Sequence, residues 1–155
     1  MSGHVEARLD ELGIVLPKPT APVANYVPFV TACNLVFVSG QGAVGPNGLE
    51  YLGRVGDNVS LEDGQKSARM CALNLIAQVK AACVNDLDRV IRCVRLGGFV
   101  NCTDDFTDQP LVINGASDLM VDVFGNTGRH ARTAVGVNTL PLGLSVEVDG
   151  VFEIA

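Results

Sequence analysis

The segment Arg132-Thr133-Ala134-Val135-Gly136-Val137 and the segment Leu144-Ser145-Val146-Glu147-Val148-Asp149-Gly150-Val151-Phe152-Glu153-Ile154 decide the fold. Their apolar residues recur at every second position, the period of a strand. In the second segment Leu144, Val146, Val148, Gly150, Phe152 and Ile154 form one face, expected to pack on helices. Ser145, Glu147, Asp149, Val151 and Glu153 form the other. In the first segment Thr133, Val135 and Val137 alternate with Arg132, Ala134, Gly136 and Asn138. The second set, one long cation among small residues, is expected to face away from the helices. If both strands share one sheet, Arg132 and Glu147 can then lie on the same face. The connection at 138–143 carries Pro141 and Gly143, which suit a turn.

Upstream, Ser60 is a helix N-cap candidate with Asp63 three residues on, as in a capping box. Ala68, Cys71, Ala72, Leu75, Val79 and Cys83 follow at helical spacing, so a helix is expected over 61–83. A second helix is expected from 110 or 113 to 124, ending before Gly125, although Asn114 and Gly115 are poor interior residues. Between them, 85–88 reads as a polar turn and 89–100 as a central strand. Gly97-Gly98 marks a bulge or a close approach within it. Residues 101–109 read as a loop. Nearer the start, 26–30 and 35–39 are strand-like around a turn at 31–34. Gly45-Pro46-Asn47-Gly48 is a turn, and 51–55 reads as a short strand. Residues 4–13 suit a short amphipathic helix, followed by a Pro-rich connector at 17–22. The order of elements predicts an α+β domain spanning 1–155, a mixed sheet with two main helices on one face.

Composition bounds the function. The 155 residues are 48% hydrophobic and 18% charged, which describes a folded chain. The formal charge is -6, and the densest basic stretch is only Arg89, Arg92 and Arg95. Phosphate backbones require a concentrated basic face, so nucleic acid is not an expected partner. The five cysteines have no C-x-x-C pair and read as buried free thiols in a reducing cytoplasm. Cys102 has nothing beside it that would activate a thiol. His4 and His130 lack zinc-ligand spacing, and His130 reads as a solvated loop histidine. No apolar run approaches the ~20 residues of a membrane span, which predicts a soluble protein.

Arginine offers a planar fork that suits a carboxylate, and a nearby carboxylate can hold or deprotonate a water. Arg132 and Glu147 could therefore bind an anionic substrate and deliver water to it. The same two residues also read as a structural ion pair across a sheet or interface.

The chain resembles the RidA/YjgF/L-PSP (endoribonuclease L-PSP, chorismate-mutase-like) family over residues 20–155. The resemblance rests on Ala131-Arg132-Thr133-Ala134-Val135-Gly136-Val137 with Glu147 fifteen residues after the arginine. It rests also on Val36-Phe37-Val38-Ser39-Gly40-Gln41, and on Tyr26 thirteen residues before Ser39. It implies a chorismate-mutase-like (ferredoxin-like) sheet, a homotrimer whose sheets form a central barrel, and three clefts between subunits. Members with this arginine typically hydrolyse enamines and imines, such as 2-aminoacrylate and 2-iminopropanoate, to ketoacids and ammonia without a cofactor. By resemblance, Arg132 holds the substrate carboxylate and Glu147 positions water. Tyr26 lines the cleft from the adjacent subunit, Ser39 and Gly40 shape its wall, the Ala134 backbone contacts substrate, and Asn114 matches a pocket asparagine. Other roles ascribed to the fold are non-catalytic binding of small carboxylates, and ribonuclease or translation-inhibitor activity. The chain departs from the usual pattern with Ala134 where cysteine is frequent and Asn25 where proline precedes the tyrosine. Its loop at 104–114 and the stretch before Arg132 are longer than in typical deaminases, and by the resemblance residues 1–20 form an N-terminal extension with no counterpart in the short members.

Overall fold

The computed structural model describes residues 3–21 and 24–155. Helix α1 (His4–Glu11) is followed by strands β1 (Phe29–Ala32) and β2 (Leu35–Gln41), then by the short pair β3 (Val44–Gly45) and β4 (Gly48–Leu49). Helix α2 (Leu61–Ala82), strand β5 (Val90–Asn101), helix α3 (Gln109–Phe124), strand β6 (Ala131–Val137) and strand β7 (Val146–Ile154) complete the chain. The main sheet has the order β1-β2-β7-β5-β6. Within it β5 and β6 run parallel; β1–β2, β2–β7 and β5–β7 are antiparallel. This is the mixed sheet expected from the order of elements, with α2 and α3 packed on one face.

Both helices form over the residues expected, α2 where its cap and stripe place it and α3 from Gln109 to Phe124. Ser60 Oγ accepts the Asp63 N–H at 3.1 Å, closing the first turn of α2. The Asp63 carboxylate does not reach back as in a full capping box; it pairs with Lys66 at 3.3 Å. Ala68, Cys71, Ala72, Leu75, Val79 and Cys83 are all buried in one core with Val146, Val148 and Phe152 of β7; α2 lies over β7 and β2, and α3 over β5 and β6. The alternation of β7 is as expected, every second residue being buried from Val146 to Ile154.

Close approach explains the glycines that weaken the pattern. A Cβ at Gly98 would lie 2.5 Å from Ile113 Cγ1, so this strand glycine lets α3 settle on the sheet. A Cβ at Gly115 would collide with the backbone carbonyl of Gln65, so α2 and α3 pass nearly backbone to backbone. The N-terminal extension is docked on this assembly. Asp88 accepts the N–H groups of His4 and Val5, each at 2.8 Å, and Val5 and Leu9 are buried. Further along the extension, the Thr20 carbonyl accepts Gln78 Nε2 at 2.9 Å. Of the Pro-rich connector, Pro22 lies outside the described residues.

Three local expectations are corrected. The first strand begins at Phe29, not Tyr26. Pro28 has no N–H to give a ladder, and this stretch is held from outside it, with Ser39 N donating to Pro28 O at 2.9 Å and Ser39 Oγ to Val27 O at 2.8 Å. No strand forms at 51–55, because Tyr51 (φ 54°) and Gly53 (φ 126°) lie in the left-handed half of backbone space. Only isolated bridges remain there, Leu52 to Leu144 and Val55 to Val59 and Cys102. Cys33 is exposed, at φ 54° in the turn between β1 and β2; Cys71, Cys83, Cys93 and Cys102 are buried as expected.

Replacing Gly115 with alanine must push the α2 and α3 backbones apart. Gly115→Ala is expected to lower stability by ~1–3 kcal/mol in urea unfolding; unchanged stability would mean that the helices separate freely.

Candidate functional site

Parallel pairing matches Leu96 with Arg132, Gly98 with Ala134 and Val100 with Gly136. Leu96 and Val100 are core residues on the helix side. Arg132, Ala134 and Gly136 therefore also face α3, opposite to the orientation expected from sequence. Their contacts agree. Arg132 Nη1 donates to Asn114 Oδ1 at 2.8 Å and to Ser117 Oγ at 3.2 Å, both on α3. Ala134 packs against the core, and a Cβ at Gly136 would touch Cys102 Sγ and Gln109 Nε2.

These contacts set what Arg132 can do. Its Nη1 has two hydrogens, and both are engaged by neutral acceptors. Among the described residues it has no ion pair, so its charge is uncompensated. Nε–H and Nη2–H remain, side by side, as the fork for a bidentate anion.

Glu147 lies on the opposite face. It pairs with Phe99 across β5–β7, one residue out of phase with the buried Val146 and Val148. Within one chain Arg132 and Glu147 therefore do not share a face. The Glu147 carboxylate lies over Gly40, where a Cβ would collide with Oε1. The β2–β7 register shifts between Val38 and Gln41, which places Ser39 and Gly40 in an irregular stretch. Glu147 is partly buried without an opposite charge among the described residues. Burial, then the neighbouring Asp149 carboxylate, raises its pKa. Asp149 itself pairs with Arg95 at 3.4 Å.

Tyr26 is 51% exposed and lines a hollow of about 70 Å³ with Thr20, Ala21, Pro28, Gly40, Gln41 and Gly42. The candidate residues thus fall into two groups. Arg132, Asn114 and Ala134 stand between β6 and α3. Tyr26, Ser39, Gly40 and Glu147 stand around the irregular end of β2.

A family model described as "YjgF/chorismate mutase-like, putative endoribonuclease" matches residues 6–151. The chain belongs to this family. It is 48% identical over 154 residues to "Protein TCP17" of Trypanosoma cruzi, covering 99% of this chain and 96% of that one. It is 46% identical to Atu1372 of Agrobacterium tumefaciens, a protein of unknown function, with a TM-score of 0.91 over 97% of this chain and 92% of that one. A "putative endoribonuclease" of Shewanella oneidensis is 32% identical, with a TM-score of 0.94 over 98% and 100% of the two chains. The YjgF-type fold is therefore kept with the N-terminal extension included.

Sequence patterning did not single out Ser117 and placed His130 in solvent. His130 is partly buried, its Nε2 2.9 Å from Ser117 Oγ and its Nδ1 2.6 Å from the Gly128 carbonyl. Burial, with a smaller contribution from the Arg132 charge, lowers its pKa. The helix spacing of Asn114 and Ser117, three apart on the face toward β6, was the available signal.

Glu147 makes a prediction about stability. A carboxyl with a raised folded-state pKa holds its proton more tightly when folded. Its ionisation therefore opposes folding, an effect absent below the unfolded pKa and complete above the raised one. Glu147→Gln is expected to raise the unfolding midpoint at pH 7 and to leave it unchanged near pH ~3. An equal midpoint at both pH values would contradict the burial effect.

Proposed function

We propose that the chain is a cofactor-independent enamine/imine deaminase acting on small carboxylates, with Arg132 and Glu147 meeting across a cleft between subunits of a homotrimer. The observation that carries this reading is the division of the candidate residues between two faces of one chain. A symmetric assembly that lays one chain's β6–α3 edge beside its neighbour's β2–β7 end unites them. The open sheet face supports such an assembly, since Val30, Phe37 and Val135 are 53%, 46% and 40% exposed on it.

In the proposed cleft, Nε and Nη2 of Arg132 hold the substrate carboxylate side-on. The adjacent C=N carbon is already electrophilic, so placement of a water contributes much of the acceleration. Glu147 of the adjoining subunit accepts a proton as that water attacks, and its raised pKa makes it a stronger base than an ordinary carboxylate. Glu147 passes that proton to the imine nitrogen, giving the carbinolamine, then carries the hydroxyl proton to the same nitrogen as the C–N bond breaks, and ketoacid and ammonia leave. An enamine such as 2-aminoacrylate enters as its imine tautomer, 2-iminopropanoate, after gaining a proton at the methylene carbon and losing one from nitrogen. Tyr26 and Gly40 form the wall on the Glu147 side, and the Ala134 backbone forms it on the Arg132 side.

Pyruvate release from 2-aminoacrylate generated in situ tests this directly. The protein is expected to accelerate release over buffer, and Arg132→Ala to lose about 100-fold or more. No acceleration, or equal rates with the variant, removes the proposal. Turnover-free binding of ketoacids would instead favour a carboxylate-binding role. RNA cleavage that survives purification and disappears in a site variant would favour the ribonuclease reading, which the net charge of -6 opposes.

Sedimentation is expected to give a trimer. A monomer at micromolar concentration would rule out a shared cleft.

A further inference from the structure

We propose that His130 is a positioning residue for Arg132, acting through the hydroxyl of Ser117. The inference deepens the carboxylate-binding reading of Arg132 and rests on it for its functional meaning.

The hydrogen-bond chain has one direction. The Gly128 carbonyl can only accept, so the proton of the neutral ring sits on Nδ1, 2.6 Å away. Nε2 is then a bare acceptor, and the Ser117 hydroxyl donates to it across 2.9 Å. With its hydrogen committed, Ser117 Oγ turns a lone pair toward Arg132 Nη1 at 3.2 Å. The second Nη1 hydrogen goes to Asn114 Oδ1 at 2.8 Å. A lowered pKa keeps the ring neutral near pH 7, consistent with this order.

Both ends of the chain are anchored. A Cβ at Gly128 would strike the Met120 carbonyl, so the terminal acceptor is seated against α3. Asn114 and Ser117 lie on the same helix. Arg132 itself is on β6, an edge strand of the sheet. Its guanidinium has four rotatable bonds behind it, and holding Nη1 at two points leaves the Nε–Nη2 edge as the one presented. Without His130, the Ser117 hydrogen is free to turn toward Arg132 or Asn114, and one of the two restraints is lost.

The full-length protein is titrated with pyruvate by calorimetry at neutral pH. His130→Ala is expected to weaken binding about fivefold, the range of one hydrogen bond. His130→Gln, whose amide oxygen can accept from Ser117, is expected to restore it to within about twofold of the wild type. Ser117→Ala is expected to match His130→Ala, and the double variant to be no weaker than either alone, because the two residues act as a unit. Unchanged binding in His130→Ala, or additive losses in the double variant, overturns the proposal. Nitrogen NMR of the wild type supplies readouts that need neither ligand nor a folded variant. The imidazole is expected as the Nδ1-protonated tautomer, and the Arg132 Nη1 and Nη2 signals as resolved, with slow rotation about the Nε–Cζ bond. The opposite tautomer or freely averaged Nη signals overturn the proposal. If the wild type binds no pyruvate while both NMR signatures are present, the positioning chain stands and the carboxylate reading falls.

Discussion

Residues matched across the β6–β5–β7 ladder point their side chains to the same side of the sheet, and this parity organises both the core and the candidate site. Leu96, Val100, Val146, Val148 and Phe152 share the helix face with Arg132 and Ala134. Phe99, Glu147, Asp149 and Val135 share the open face. A slip of one residue in β7 would drive Glu147 and Asp149 into the α2 packing and expose Val146 and Val148. The hydrophobic core therefore enforces the register. The same register keeps Arg132 and Glu147 on opposite sides of one chain.

Much of the fold was legible because its signals are local. Ser60 caps α2 and the Ala68-to-Cys83 stripe is buried where the helical period places it. The β7 alternation was legible because its inward set is uniformly large apart from Gly150. The facing of β6 was not. Thr133, Val135 and Val137 are the more apolar set, and burial inward is the ordinary fate of such residues. Here the open face carries apolar residues too, Val30, Phe37 and Val135 among them, so hydrophobicity does not distinguish the two sides of an edge strand. The parallel partner β5 decides the matter, and that pairing is not encoded within β6. The same holds for His130, whose ring is drawn in by Ser117, a contact that exists only once α3 has packed beside it.

Helix α3 carries two residues that local propensity disfavours. Gly115 is where the Gln65 carbonyl passes, and Asn114 supplies the acceptor for Arg132 Nη1. Each weakens the isolated helix by a few tenths to ~1 kcal/mol. The packing of Val112, Ile113, Ala116, Leu119 and Met120 offsets that loss, since all five are buried. Departures from local consistency gather at functional positions in folded proteins. In this helix one departure serves close packing and its neighbour holds the arginine, so the weak helix signal and the restraint on Arg132 share an origin.

Among the described residues, Arg132 and Glu147 each stand without an opposite charge, the guanidinium held by neutral groups and the carboxylate disfavoured in its ionised form. Had Arg132 been given an acidic partner on α3 in place of Asn114 and Ser117, its field would be largely cancelled and little would remain for an anion. Neutral acceptors restrain the group while preserving its charge. The same reasoning applies to Glu147 in the proposed cleft. A bound carboxylate brings a second negative charge and pushes the Glu147 pKa higher still, while Arg132 opposes that shift. The guanidinium must then lie nearer the substrate carboxylate than Glu147 does, with the reacting carbon between them. Direct contact between Arg132 and Glu147 would quench both, so a water-sized gap separating them is a requirement of the chemistry.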